Sequence, residues 1–294
     1  MRSDLLDEIW AYLPKLVILR LSHLCRKMHQ LEAELNPWIH AVGRPIPWWS
    51  FDRGSRIAVH GNIAGTQHVT CSDVLITSGP AGGRLGVVVA CADRRIVISC
   101  LHLRKVVVEA GALCRLHCNR IANPHGDGVV CNQAWCSLRH STIDCLGIGV
   151  QANHSSVSMS HSQLSSGSGL GLASAGSQVL MCSSGLHCCG VCAEGGQLEL
   201  RSSHVSSLAL ANCGGLLEAN QVAGEATLSG LCPVLRNNSI AATTIGWNAT
   251  PILYDNVLGS LEVHPTAHPV IVHNDVRHVP AVHRGIELNN MVVY

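Results

Sequence analysis

The chain is short of aromatic rings, of lysine and of charge. One Phe, three Tyr and six Trp are spread over 294 residues, too few to fill the thick core of a β-sandwich. The apolar 47% consists mostly of Val, Leu, Ile, Ala and Cys, which suit a thin core. Charged residues make up 13% and the formal net charge is +1. Such a chain can bury a core and is not a disordered tail. Without a basic run it also lacks the surface that binds nucleic acid through phosphate neutralisation. Three lysines (Lys15, Lys27 and Lys105) stand against 17 arginines, a bias that a GC-rich genome explains. No apolar run approaches the roughly 20 residues of a membrane-spanning helix. The start, "MRSDLLDEIWAYLPK", carries acids where a signal peptide has a basic and then an apolar region. An intracellular protein with reduced thiols is therefore expected. Its 15 cysteines then serve as small core hydrophobes, and the N-x-S/T triplets at Asn153, Asn237 and Asn248 are chance matches.

What the chain does have is a period. Leu216, Val234, Ile252 and Val270 are spaced 18 apart, as are Val222, Ile240, Leu258 and Val276, and Asn220, Asn238, Asn256 and Asn274. With steps of 19 to 22, the first column continues back through Leu198, Val179, Val157, Leu138 and Leu116. The second continues through Val205, Leu186, Leu164, Ile143 and Ile121, and a less regular third runs from Val129 to Val263. Three short alternating segments per repeat, separated by Gly, Ser and Asn turns, predict a mostly β, right-handed parallel β-helix. Each coil stacks about 4.8 Å above the last, which makes ten or eleven coils a prism roughly 50 Å tall. A leucine-rich repeat would need its own Leu/Asn signature and helical segments, and neither is present. Asparagine is poor in an isolated strand, but four in register predict a ladder of amides bonded along the axis.

Residues 1–35 differ in texture. "DLLDEIWAYLPKLVILRLSHLCRKMHQL" has no internal Gly, Asp4 at a helix-capping position and Pro14 at a break between two helices. Its apolar set is too rich for so short a piece to bury alone, so it is expected to pack either on the end of the β-helix, as a helical cap, or against another protein. Residues 36–54 read as a Pro- and Trp-rich connector in which Trp48 and Trp49 pack over the first coil, and 55–294 as the β-helix.

Polysaccharide-cleaving chemistry needs carboxylates projecting together with basic partners. Between residues 110 and 250 the acids are Asp127, Asp144, Glu194, Glu199, Glu218 and Glu225. No pair of them is expected to share a column with a basic partner, so no catalytic residue and no cofactor is assigned. "CRLHC" (Cys114, His117, Cys118) and "HCCGVC" (His187, Cys188, Cys189, Cys192) invite a metal reading. Alternation along a strand sends neighbouring side chains to opposite faces, and no second C-x-x-C follows at zinc-finger spacing, so core or ladder cysteines are expected. The Ser/Gly stretch at 165–177 lacks the lysine of a phosphate loop and reads as a tight turn.

Two resemblances follow from motifs. "IWAYLPKLVILRLSHLCRKMHQL" resembles an F-box: Leu13-Pro14, Leu19-Arg20-Leu21-Ser22 and Cys25-Arg26-Lys27 match without a gap. Leu5-Leu6 stands where the family has Leu-Pro, and Met28 where it has Trp. The resemblance implies Skp1 binding through Leu6, Ile9, Trp10, Leu13, Pro14, Leu19, Leu21 and Leu24. It further implies a non-enzymatic adaptor that brings a target on the β-helix to a cullin ubiquitin ligase. "GVVCNQAWCSLRHSTIDCLGIGV" (128–150) is similar to the β-helical region of the adenovirus large early-region tumour antigen, itself similar to the trimeric β-helical capsid protein of atadenoviruses. That likeness implies the alternative of a structural, trimeric capsid decoration or cementing subunit, in the virion or the host cytoplasm or nucleus. Nucleic acid and membrane are not expected as partners.

Overall fold

The computed structural model describes residues 38–44, 46–187, 189–278 and 292–293. The F-box-like stretch and its eight partner-binding residues lie outside the described residues.

The chain winds as a parallel β-solenoid of about 12 turns. Each coil contributes strands to three sheets, and every strand pairs in parallel with its counterpart one coil on. Gln178–Cys182 pairs with Gln197–Arg201, Gln163–Ser166 with Gly185–His187, and Gly190–Glu194 with Leu208–Ala211, one example from each sheet. The first rung, Trp38–Val42, pairs with residues 56–60 and so falls inside the connector region. Two strands near this end, Arg56–Val69 and Val74–Ala90, run through whole coils and contribute to all three sheets. Trp48 closes the end of the core, its indole Nε1 donating to Gln67 Oε1 at 3.3 Å. Trp49, expected to pack beside it, is 84% exposed. The two rings sit on successive residues of a 3₁₀ turn and point to different sides.

Strand alternation fills the interior with single-file aliphatic columns. On the second sheet Leu103, Ile121, Ile143, Leu164, Leu186, Val205, Val222, Ile240, Leu258 and Val276 stack rung on rung, all buried, as the period predicts. Each such side chain contributes roughly 1.5–3 kcal/mol by leaving water. On the first sheet the expected column holds in three separate blocks. Leu116 with Leu138, and Val157 with Val179 and Leu198, are in register and buried. The last four members are in register but point outward, Ile252 being 43% exposed and Val270 51%. The inner column consists of their successors Leu217, Leu235, Leu253 and Ile271. Traced back, Leu198 pairs with Gly215 rather than Leu216, and Val157 with Cys136 rather than Leu138. The third column holds except for a two-residue slip, since Val191 pairs with Leu208 and not Leu210.

The corner between the first and second sheets is one motif repeated. A residue in the left-handed region (φ 47–56°) is followed by a buried Asn or Ser; the left-handed series includes Cys118, His140, His161, Ser183, Ser202, Ala219, Asn237, Asp255 and His273. The asparagine ladder is present as predicted. Asn238 Oδ1 accepts from the Asn220 amide N at 2.9 Å and from Asn220 Nδ2 at 3.0 Å, and Asn238 Nδ2 donates to Leu217 O at 2.8 Å and Asn256 Oδ1 at 3.0 Å. Asn256 and Asn274 repeat the pattern. Towards the N-terminus serines take over the acceptor: Ser203 N donates to Asn220 Oδ1 at 3.0 Å, then Ser184, Ser162 and Ser141 continue to Asn119. The amides and hydroxyls satisfy backbone groups that a buried corner would otherwise leave without partners.

Candidate partner-binding groove

The residues preceding each buried second-sheet position must face outward. Near the N-terminal end these are Asn62, Arg84, His102 and Arg120, paired in register rung by rung. Arg104, two residues beyond His102 on the same strand, faces the same way. Rungs lie about 5 Å apart and alternate residues about 7 Å apart along a strand, so the cations form a small grid. With His125 they line a groove of about 620 Å³ whose floor includes Ala64, Gly65, Gly86 and Ala122. Gly86 is required there, because a Cβ would fall against the carbonyl oxygen of Gly65 on the coil beneath.

No carboxylate among the described residues lines this groove. Among the described residues, Arg84, Arg104 and Arg120 have no ion pair. At its margin Asp127 faces Lys105 at 3.9 Å and accepts the Ile148 amide at 2.9 Å. Asp144 lies on the rung beyond Ala122.

Carboxylates elsewhere face arginines. Glu218 stands between Arg201 and Arg236 in one outward column, at 4.0 and 3.8 Å, and Arg201 also reaches Glu199 at 3.2 Å. Basic partners flank Glu218 in its column because the coils at this point are 17 and 18 residues long, whereas Glu199 lies in another column, against Leu216. At such exposure these pairs contribute at most about 1 kcal/mol each.

The cysteine-rich motifs are split by alternation. Cys114 and Cys189 point into the core, while His117, Cys118 and Cys192 are exposed; Cys188 is outside the described residues. The exposed cysteines depart from the expectation of core use: Cys100 and Cys118 occupy left-handed corner positions, which face solvent. Inside, hydrogen bonding with Cys114 and Cys131, followed by burial, pushes the Cys136 thiol well above its ordinary range. Burial raises Cys232 to about 11. Thiols held protonated in this way are poor nucleophiles and metal ligands. Among the described residues no three His, Cys, Asp or Glu side chains converge as a metal site. His117, His140 and His161 stack along the exposed corner, and His140 is held below the usual imidazole value by local desolvation, then by His161, Arg139 and His117.

Most of the Ser/Gly stretch is strand rather than the expected turn: it spans the end of Gln163–Ser166 and all of Leu170–Ala175, with a tight turn only at 167–169, where Ser166 Oγ donates to Gly147 O at 2.6 Å. No described helix is long and apolar enough to cross a membrane. The basic groove was not anticipated: Arg84, Arg104 and Arg120 are scattered in sequence and only the register gathers them. Extending the second column back to Leu103, Leu85 and Ile63 and inspecting the residues on either side of each member would have found them. No family model, curated protein or solved structure matches the chain.

Proposed function

We propose that the chain is a non-catalytic interaction scaffold, an F-box-type adaptor that links a target held on the solenoid to a Skp1–cullin ubiquitin ligase. The observation that carries this reading is the ungapped Leu-Pro and Leu-Arg-Leu-Ser…Cys-Arg-Lys block at residues 13–27, beside a repeat platform whose first rung begins at Trp38. A stacked solenoid supports the role physically. Each coil contacts only its neighbours, and the outer sheets offer long, regular surfaces for a partner. Affinity capture of the full chain should recover Skp1 and cullin, and Leu13→Ala with Pro14→Ala should abolish that recovery. Capture that survives both substitutions would refute the adaptor.

A second reading is favoured by one observation. Leu231, Trp247, Ile252, Val257 and Val270, all in the last coils described, are large and exposed, from 38% to 67%. Such apolar surface suits lateral packing of related subunits, as in a trimeric capsid decoration or cementing protein. Sedimentation of the purified chain as a trimer, together with its presence in purified virions, is the expected result on that reading. A strict monomer absent from particles would exclude it.

A further inference from the structure

We infer that the groove around Arg84, His102, Arg104 and Arg120 is a docking site for an extended acidic segment of a partner protein, a site that rests on the scaffold reading above and names its partner's chemistry. Three observations converge. The first is uncompensated charge: among the described residues the three guanidinium groups have no ion pair and no carboxylate lines the groove. Guanidinium is the group best matched to carboxylate or phosphate oxygens, which it can grip through two parallel N–H donors.

The second is spacing. Arg84, His102 and Arg120 occupy three consecutive rungs. Arg104 stands two residues along the strand from His102. An extended peptide presents every second side chain to one face at about 7 Å intervals, so acids at alternate positions meet the His102–Arg104 separation. Neighbouring acids then reach Arg84 and Arg120 on the rungs to either side.

The third is the floor and what it omits. Ala64, Gly65, Gly86 and Ala122 leave the surface low between the cations, so a peptide backbone can approach. Among the described residues no Trp, Tyr or Phe lines the groove. Single-stranded nucleic acid is held chiefly by stacking bases on such rings, so His102 and His125 are the only rings here to serve it among the described residues. A polypeptide with Asp, Glu or phosphorylated side chains is the occupant that the groove fits.

The test is fluorescence anisotropy of the full-length chain with a labelled peptide of about a dozen residues alternating Glu and Ser, whose acid spacing matches the grid. A Gln/Ser peptide is the neutral control, and heparin and a single-stranded oligonucleotide are competitors. The Glu/Ser peptide is expected to bind at least about tenfold more tightly than its control, with an affinity that falls as salt rises. The double variant Arg84→Ala, Arg120→Ala should lose at least about tenfold, and Arg104→Glu should lose as much by repulsion. These side chains are exposed, so the variants should keep the far-ultraviolet spectrum and melting temperature of the parent. Equal binding by parent and variants overturns the site. Oligonucleotide or heparin binding as tight as the peptide's, lost in the same variants, overturns the peptide assignment. Skp1 recovery is scored on the same proteins. Recovery without peptide binding defeats the groove alone, and peptide binding without recovery defeats the adaptor alone.

Discussion

Asn238→Ala is expected to lower the solenoid's stability by about 2–4 kcal/mol, read as a shifted urea midpoint with little change in slope. The substitution removes an acceptor from the Asn220 amide and a donor from the Leu217 carbonyl. All of this lies in a corner where Asn220, Asn238 and Asn256 are each no more than 3% exposed. Water does not reach these groups to replace the lost bonds, so the loss approaches the desolvation cost of each. Asn238→Ser should recover roughly half of the deficit, because a serine hydroxyl accepts the same backbone amide on upstream rungs, as Ser203 does from Ser184 at 3.4 Å. Asn237→Ala is the internal control. Its side chain is exposed, its φ is 53°, and Ala219 already holds the equivalent corner position at φ 56°, so its loss should stay under about 1 kcal/mol. Equal losses at 237 and 238 would mean that the amide ladder contributes nothing beyond an ordinary turn.

Gly215→Ala is expected to be at least as damaging, about 3–5 kcal/mol. Gly215 sits at φ 122°, and a Cβ there would press into the Leu198 carbonyl oxygen and lie 2.8 and 2.9 Å from the Leu198 carbonyl carbon and amide nitrogen. These are backbone atoms of the adjoining rung and cannot swing away as a side chain would. Leu216→Ala, one residue on and only partly buried, should cost about 1 kcal/mol. A Gly215→Ala chain with parental thermal stability would show that this rung adjusts freely.

The same glycine explains why the architecture was easier to read than its facing. In the last coils both residues of each first-sheet pair are apolar: Leu216-Leu217, Val234-Leu235, Ile252-Leu253 and Val270-Ile271. A period of 18 is satisfied by either member, so periodicity could not choose the inner one. The chain from Leu198 steps onto Gly215, which has no side chain to mark the buried column. The second column had no such ambiguity, since each apolar member is preceded by a residue such as Thr142, Gln163 or His204, and its register was legible throughout. The asparagine ladder was legible because only an amide does that work at four successive corners. The groove was not, because its first two rungs lie in the long strands Arg56–Val69 and Val74–Ala90, where bulges between Val59/Gly61 and Ile63/Thr66 blur the period. Charge complementarity between rungs is a property of register, and register was lost there first.

The corner motif also constrains how such a chain can change. Each ladder amide bonds to the coil below it and the coil above, so a residue inserted at the Asn238 corner itself displaces that amide from both partners, whereas one inserted in a turn between corners leaves the ladder aligned. A whole inserted coil that carries its own left-handed residue and its own Asn or Ser leaves every bond in place. The variation between 17- and 22-residue steps along the ladder fits this rule, since the extra residues are absorbed elsewhere while the corners stay aligned. Length is thus adjustable in quanta of one coil. An added coil lengthens the outer faces without altering the groove at the other end, so the solenoid can acquire new surface while keeping the old.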